Sequence, residues 1–122
     1  MSKKYSRIKS FKFAFEGLGE ALKNEPNFII QLFLGVLAIT LGVFFKFYPF
    51  EWLILILTIS IVLILELINT SVEAIVDLVS EDVKDKAKVA KDVSAAAVLI
   101  ASIMSIAVGV FLFLPKILVL LI

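Results

Sequence analysis

Charged residues are missing from three long stretches of the chain and gathered between them. Residues 26–45 and 93–115 carry no ionisable side chain, and neither do residues 52–65, after which only Glu66 and Glu73 interrupt the apolar run before Asp77. At about 1.5 Å rise per residue, roughly 20 residues cross a hydrocarbon core of about 30 Å. The pattern predicts an all-α membrane protein forming a single domain over residues 1–122, with spans at 26–46, 50–80 and 93–121. A polar loop is expected over 81–92. Ahead of the first span the period changes: Ile8, Phe11, Phe15, Leu18 and Leu22 fall within about 80° of arc on a helix. Lys9, Lys12, Glu16, Glu20 and Lys23 share the adjoining face. Residues 5–24 are therefore expected to form an amphipathic helix lying in the headgroup layer.

Composition agrees with the spans, since 61% of the 122 residues are hydrophobic and globular chains sit near 45–50%. The basic residues supply an orientation. Lys3, Lys4, Arg7, Lys9, Lys12 and Lys23 precede the first span, Lys84, Lys86, Lys88 and Lys91 follow the second, and only Lys46 and Lys116 sit at the opposite ends. That bias predicts a cytoplasmic N-terminus and a cytoplasmic 81–92 loop. The spread of basic residues through the first 23 positions is unlike a cleaved signal peptide. Cysteine and histidine are both absent, which excludes disulfides, thiolate nucleophiles, Cys/His zinc sites and a histidine base. Catalysis would have to run on carboxylates, amides, hydroxyls and lysines, and the ligand inventory suits a hard cation such as Mg²⁺.

The stretch "ELINTSVEAIVD", residues 66–77, concentrates the candidate chemistry. On a helix, Asn69, Glu73 and Asp77 lie about −60°, −20° and +20° from Glu66, so the four polar groups form one stripe. Leu67, Ile68, Val72, Ile75, Val76, Leu78 and Val79 keep the rest of the surface apolar. Carboxylates inside a bilayer cost about 2.5–3.5 kcal/mol each on insertion scales, so such a stripe faces a partner, a metal or a water-filled site. A helix that had already left the membrane by residue 66 would instead carry solvated charges. Glu66 and Glu73 are about 10 Å apart along the axis, too far to share one ion bonded at about 2.0–2.1 Å. A metal at Glu73 needs another ligand, and Glu25, just before the first span, stands at the right depth. Lys91 and Asp92 abut the membrane at the level of Glu73 and Asp77 and suit nucleotide phosphates, while Lys84, Lys86 and Lys88 equally fit topology and anionic lipid. None of the five glycines belongs to a phosphate-binding loop. Ala97, Ala101, Ser105 and Gly109 form a small-residue ladder that would let helices approach closely, which points to an oligomer.

The motif Glu66-x-x-Asn69-Thr70-x-Val72-Glu73-x-x-x-Asp77, with Asp92 in "AKVAKDVSAAAVL", resembles the prokaryotic diacylglycerol kinase and undecaprenol kinase family. The similarity covers nearly the whole chain, through "SFKFAFEGL", "NEPNF", "FEW" and "FLPK", and the last two resemble the Gram-positive-type branch, in which the substrate is typically undecaprenol. The resemblance implies a homotrimeric bundle in the cell membrane, with its site on the cytoplasmic side, that moves the γ-phosphoryl group of ATP to a lipid hydroxyl. It implies Glu66 as general base and Glu25 and Glu73 as holders of Mg²⁺. Asn69, Asp77, Lys91 and Asp92, together with Glu25 and Glu73, would bind the nucleotide. The implied partners are a membrane lipid alcohol, ATP, the bilayer and further copies of the chain, and not nucleic acid. Ile29 departs from the arginine common in relatives, and Val83-Lys84 from an aromatic-histidine pair. Two other classes stay open on the residues alone: a small ion or proton channel using Glu66 and Asp77, and a non-enzymatic accessory peptide.

Overall fold

The computed structural model describes residues 6–79 and 85–122. These form four helices: α1 (Arg7–Asn24), α2 (Pro26–Phe44), α3 (Pro49–Val79) and α4 (Asp85–Leu121). No strand occurs among the described residues. The last three helices are long and apolar enough to cross a membrane, and the chain is a multi-pass membrane protein. Lys3, Lys4, Tyr5, Val83 and Lys84 lie outside the described residues, as do residues 80–82.

α4 begins eight residues ahead of the position expected for the third span, so Lys86, Lys88, Lys91 and Asp92 are helical and not part of a loop. Asp85 in the first turn complements the helix dipole. Lys88 Nζ reaches Asp92 Oδ2 at 2.6 Å, one turn on. The segment is polar because it emerges from the bilayer, and polar residues in an i, i+4 arrangement still support a helix.

Each corner has a local cause. Ser6 caps α1, its hydroxyl oxygen accepting from the Lys9 N–H at 3.3 Å. Glu25 separates α1 from α2 with extended backbone, φ −115° and ψ 94°, because the ring of Pro26 disfavours the helical region for its predecessor while suiting the first turn of α2. Between α2 and α3 the Phe47 N–H donates to Gly42 O at 3.0 Å and the Lys46 N–H to Val43 O at 3.1 Å. Lys46 occupies the left-handed position at φ 55°, where glycine is usual in this kind of helix stop. Tyr48 then caps α3: its carbonyl accepts from the Trp52 N–H, and its N–H donates to Glu51 Oε1 at 2.9 Å, the reach-back half of a capping box.

α3 packs chiefly on α4. At one end Phe47, Leu55 and Leu112 form a small buried cluster joined by Phe45, Trp52 and Phe113. Gly42 makes room for the indole, since a Cβ there would stand 2.8 Å from Trp52 Cη2. Lys116 Nζ bridges Glu51 Oε1 at 3.2 Å and lies over the Phe47 and Tyr48 rings at 5.4 and 5.3 Å. At the other end Lys91 Nζ donates to Asp77 Oδ1 at 2.6 Å. The two bridges are 26 residues apart on α3 and 25 on α4, as two antiparallel rods of equal rise require. Counting about 20 residues along α3 from Glu51 reaches the far boundary of the apolar slab near residue 71. Glu66 therefore lies inside the slab, Glu73 at its edge and Asp77 beyond.

The small-residue ladder turns toward the chain's own helices. Ala101 is buried, and Ser105 and Gly109 line a cavity between α2, α3 and α4. Large apolar side chains such as Phe33 and Phe111 face outward, which a lipid environment accommodates without cost. Ile8, Phe11 and Phe15 on α1 are likewise uncovered.

Candidate functional site

α1 lies beside the end of α3, and a cleft of about 590 Å³ opens between them. Its polar wall includes Glu20, Asn24, Glu25, Ser71, Glu73 and Asp77. Small residues on α1, Ala14, Gly17 and Ala21, keep the helix from filling the space. Glu25 enters because Pro26 holds its backbone extended at the corner. Glu73 and Asp77 enter because they share one face of α3, a turn apart. Three of the residues singled out from sequence thus meet in one cleft although 48 positions separate Glu25 from Glu73.

Glu66 lies two turns deeper and does not line this cleft. It is the most enclosed ionisable side chain among the described residues, 2% exposed. The carboxylates of Glu25 and Glu73 are near enough to interact with it electrostatically, and Gln31 of α2 is the polar side chain beside it. Burying a carboxylate in an apolar setting is unfavourable, and the Gln31 amide is the polar group that α2 places next to it. The Asn69 Oδ1 is buried one turn on, without a partner. Thr70 turns its hydroxyl back on the Glu66 carbonyl at 3.0 Å.

Lys91 reaches the cleft only through its bridge to Asp77. Asp92 is not brought in: its side chain is 62% exposed and paired with Lys88. Sequence reasoning missed Gln31, Glu20 and Asn24. A lone amide within an uncharged span was a usable signal for the first. The Asn24 amide donates to Glu20 Oε1 at 2.5 Å, a local pair invisible to a search for carboxylate stripes.

Among the described residues no three His, Cys, Asp or Glu side chains form a group able to hold a metal ion. Glu25 and Glu73 nevertheless match what Mg²⁺ needs when it arrives on phosphates, because that ion keeps several waters and takes only one or two protein carboxylates. The arrangement is a polar, acidic mouth open to water, with a desolvated carboxylate behind it inside the apolar slab. It can receive a charged, metal-bound group on one side and an apolar molecule's polar head on the other.

Residues 12–113 match the prokaryotic diacylglycerol kinase family. A diacylglycerol kinase of Synechocystis is 41% identical over 110 residues, which cover 89% of this chain and 63% of that protein. The undecaprenol kinase of Bacillus subtilis is 35% identical over 109 residues, 89% of each chain. A diacylglycerol kinase of Haemophilus influenzae is 36% identical over 94 residues, 77% of this chain and 80% of its own length. A match over most of the chain, spanning the residues that build the cleft, shows that this protein belongs to the prokaryotic diacylglycerol kinase family of membrane lipid kinases.

Proposed function

We propose that the protein transfers the γ-phosphoryl group of ATP to the hydroxyl of a membrane lipid alcohol, with undecaprenol favoured over diacylglycerol. The observation that carries this proposal is the stacking of the α3 stripe: a buried carboxylate at Glu66 within the slab and an acidic cleft at Glu25 and Glu73 at its edge. Phosphoryl transfer between a water-soluble donor and a lipid acceptor requires just such a meeting point. A channel would need ionisable groups along the depth of the membrane, and α3 has none from residue 52 to residue 65.

Glu66 accepts the proton of the lipid hydroxyl as its oxygen bonds to the γ-phosphorus. Glu25 and Glu73 hold the nucleotide-borne Mg²⁺, which when bound neutralises phosphate charge. Asn69 and Asp77 orient the phosphates from α3, and Lys91 exchanges its Asp77 partner for a phosphate oxygen. Asp92 does not line its own chain's cleft, and in a homotrimer it completes the site of a neighbour. The N-terminus and the cleft face the cytoplasm, where ATP is found and where the basic residues cluster. Undecaprenol is favoured because "FEW" and "FLPK", which supply Glu51 and Lys116 of the far-end bridge, resemble the Gram-positive-type branch, in which the substrate is typically undecaprenol.

The test presents the purified protein in mixed micelles with labelled ATP, Mg²⁺ and each lipid in turn. Mg²⁺-dependent label in undecaprenyl phosphate, exceeding that in phosphatidic acid, is the expected result. Label in phosphatidic acid alone would reassign the acceptor, and label in neither would refute kinase activity on lipid alcohols.

A further inference from the structure

α1 closes one side of the cleft, yet little of its own chain holds it there. Ala21 is its one buried residue, it packs chiefly on α2, and a Cβ added at Gly17 or Gly19 would meet nothing within 4 Å. Ile8, Phe11 and Phe15 are 82%, 68% and 69% exposed. Because α1 ends where the first membrane-crossing helix begins, those side chains meet the edge of the bilayer. The two remaining faces mirror each other. Measured from the centre of the apolar arc, Ala14, Ala21 and Gly17 lie about 80°, 100° and 140° to one side, and Lys12, Lys23 and Lys9 lie about the same angles to the other. Ala14, Ala21 and Gly17 line the cleft, so the three lysines face away from the bundle at the height of the headgroups. All three are exposed, and none has an ion-pair partner among the described residues. Glu16 is the carboxylate that shares their flank, whereas Glu20 accepts from Asn24 and lines the cleft.

We infer that the Lys9, Lys12 and Lys23 flank of α1 binds the headgroups of anionic phospholipids in the leaflet beside it, and that this contact seats α1 as a wall of the cleft. Three unpaired ammonium groups outnumber the single carboxylate on their flank, and the apolar face next to them already holds the helix at the membrane surface. A negatively charged headgroup layer supplies the missing counter-charge at that height, and a zwitterionic one does not. Each lysine held close to such a surface favours it by about fivefold. The seating matters to the site because α1 contributes Ala14, Gly17, Glu20 and Asn24 to the cleft while its own packing fastens it chiefly at one end. The effect on turnover rests on the lipid-kinase reading, whereas the contact with anionic headgroups does not.

The chain has no cysteine, so Phe15→Cys gives a single labelling site on the apolar face of α1. The full-length protein with a fluorophore there is placed in vesicles of phosphatidylcholine containing about 30% phosphatidylglycerol, a composition with a negative surface potential. Trace spin-labelled phosphatidylglycerol quenches the fluorophore in one sample and trace spin-labelled phosphatidylcholine in another, and the ratio of the two measures the preference of α1 for the anionic lipid. That ratio should be at least about fivefold. It should fall to about one when Lys9→Gln, Lys12→Gln and Lys23→Gln are combined, and also for the unsubstituted lysines in about 0.5 M NaCl, because salt screens exposed charges. Turnover is read as kcat at saturating MgATP, since an anionic surface also repels the nucleotide and would otherwise raise KM. The kcat in these vesicles should exceed that in phosphatidylcholine alone by about threefold, and the triple variant should lose the difference. A ratio below about twofold, or one that survives both the substitutions and the salt, would overturn the contact. A kcat indifferent to phosphatidylglycerol while the ratio holds would overturn the seating of the cleft wall. Should the triple variant fail to insert, the salt series on the unsubstituted lysines decides. No turnover on any lipid alcohol would refute the kinase reading, and the quenching ratio would still decide the contact.

Discussion

The bridge between Glu51 and Lys116 should be worth far more than the bridge between Asp77 and Lys91, although the second is shorter, 2.6 Å against 3.2 Å. What differs is exposure. Glu51 and Lys116 are each 21% exposed, whereas Lys91 and Asp77 are 40% and 66% exposed. At an effective dielectric of about 20 the closer-packed pair has a Coulomb attraction of about 5 kcal/mol, much of it offset by desolvation. A net coupling of about 1–2 kcal/mol remains, and the rings of Phe47 and Tyr48 under the ammonium add about 0.5–1 kcal/mol at a site of this exposure. Glu51→Gln removes the charge but keeps an oxygen for the Tyr48 N–H, so with Lys116→Met it forms a clean double-mutant cycle. Glu51→Ala also removes the capping bond and should lose about 1 kcal/mol more. Unfolding in dodecyl maltoside with increasing SDS, followed by the fluorescence of the sole tryptophan, Trp52, reports on this end of the bundle. A coupling of about 0.5 kcal/mol or less, well inside the roughly 0.2–1 kcal/mol of solvated pairs, would refute the argument from burial. So would a coupling between Asp77 and Lys91 that matches it.

Further outcomes follow from the same geometry. Glu66→Gln should retain nucleotide binding, measured by equilibrium dialysis, and lose phosphoryl transfer. Glu25→Gln and Glu73→Gln should each raise the Mg²⁺ concentration needed for half-maximal activity, and an unchanged requirement in both would remove them as ligands. Gly42→Ala should destabilise the far end by about 1–3 kcal/mol, because the added methyl meets Trp52 at 2.8 Å and Phe47 at 3.3 Å; an unchanged unfolding midpoint would mean the indole moves aside freely. Mixing Glu66→Gln and Asp92→Asn subunits before reassembly should restore part of the activity, since Asp92 lies outside its own chain's cleft, and a mixture as inactive as its parents would mean each chain builds its site alone.

Much of this architecture could be read along the chain. The absence of charge marks the membrane-crossing helices, the position of Pro26 explains why Glu25 sits at a corner, and a 3.6-residue period puts Glu66, Asn69, Glu73 and Asp77 on one stripe. These are properties of a single helix or of one peptide bond, determined by sterics and by solvent preference over a few residues. The resemblance carried by that stripe reached the family for the same reason, because its motif is local. The sequence pattern places the start of α4 too late because a segment with five charges among its eight residues reads as a loop, whereas Asp85 to Asp92 support a helix through their own i, i+4 pairing. Which faces meet is another matter. The period assigns a direction to each side chain around its own axis but not the crossing and register of one helix on the next, which interdigitating side chains decide. Tertiary structure alone therefore set Gln31 beside Glu66, paired Glu51 with Lys116 across 65 positions, turned Ala101, Ser105 and Gly109 inward and left Asp92 out of the cleft.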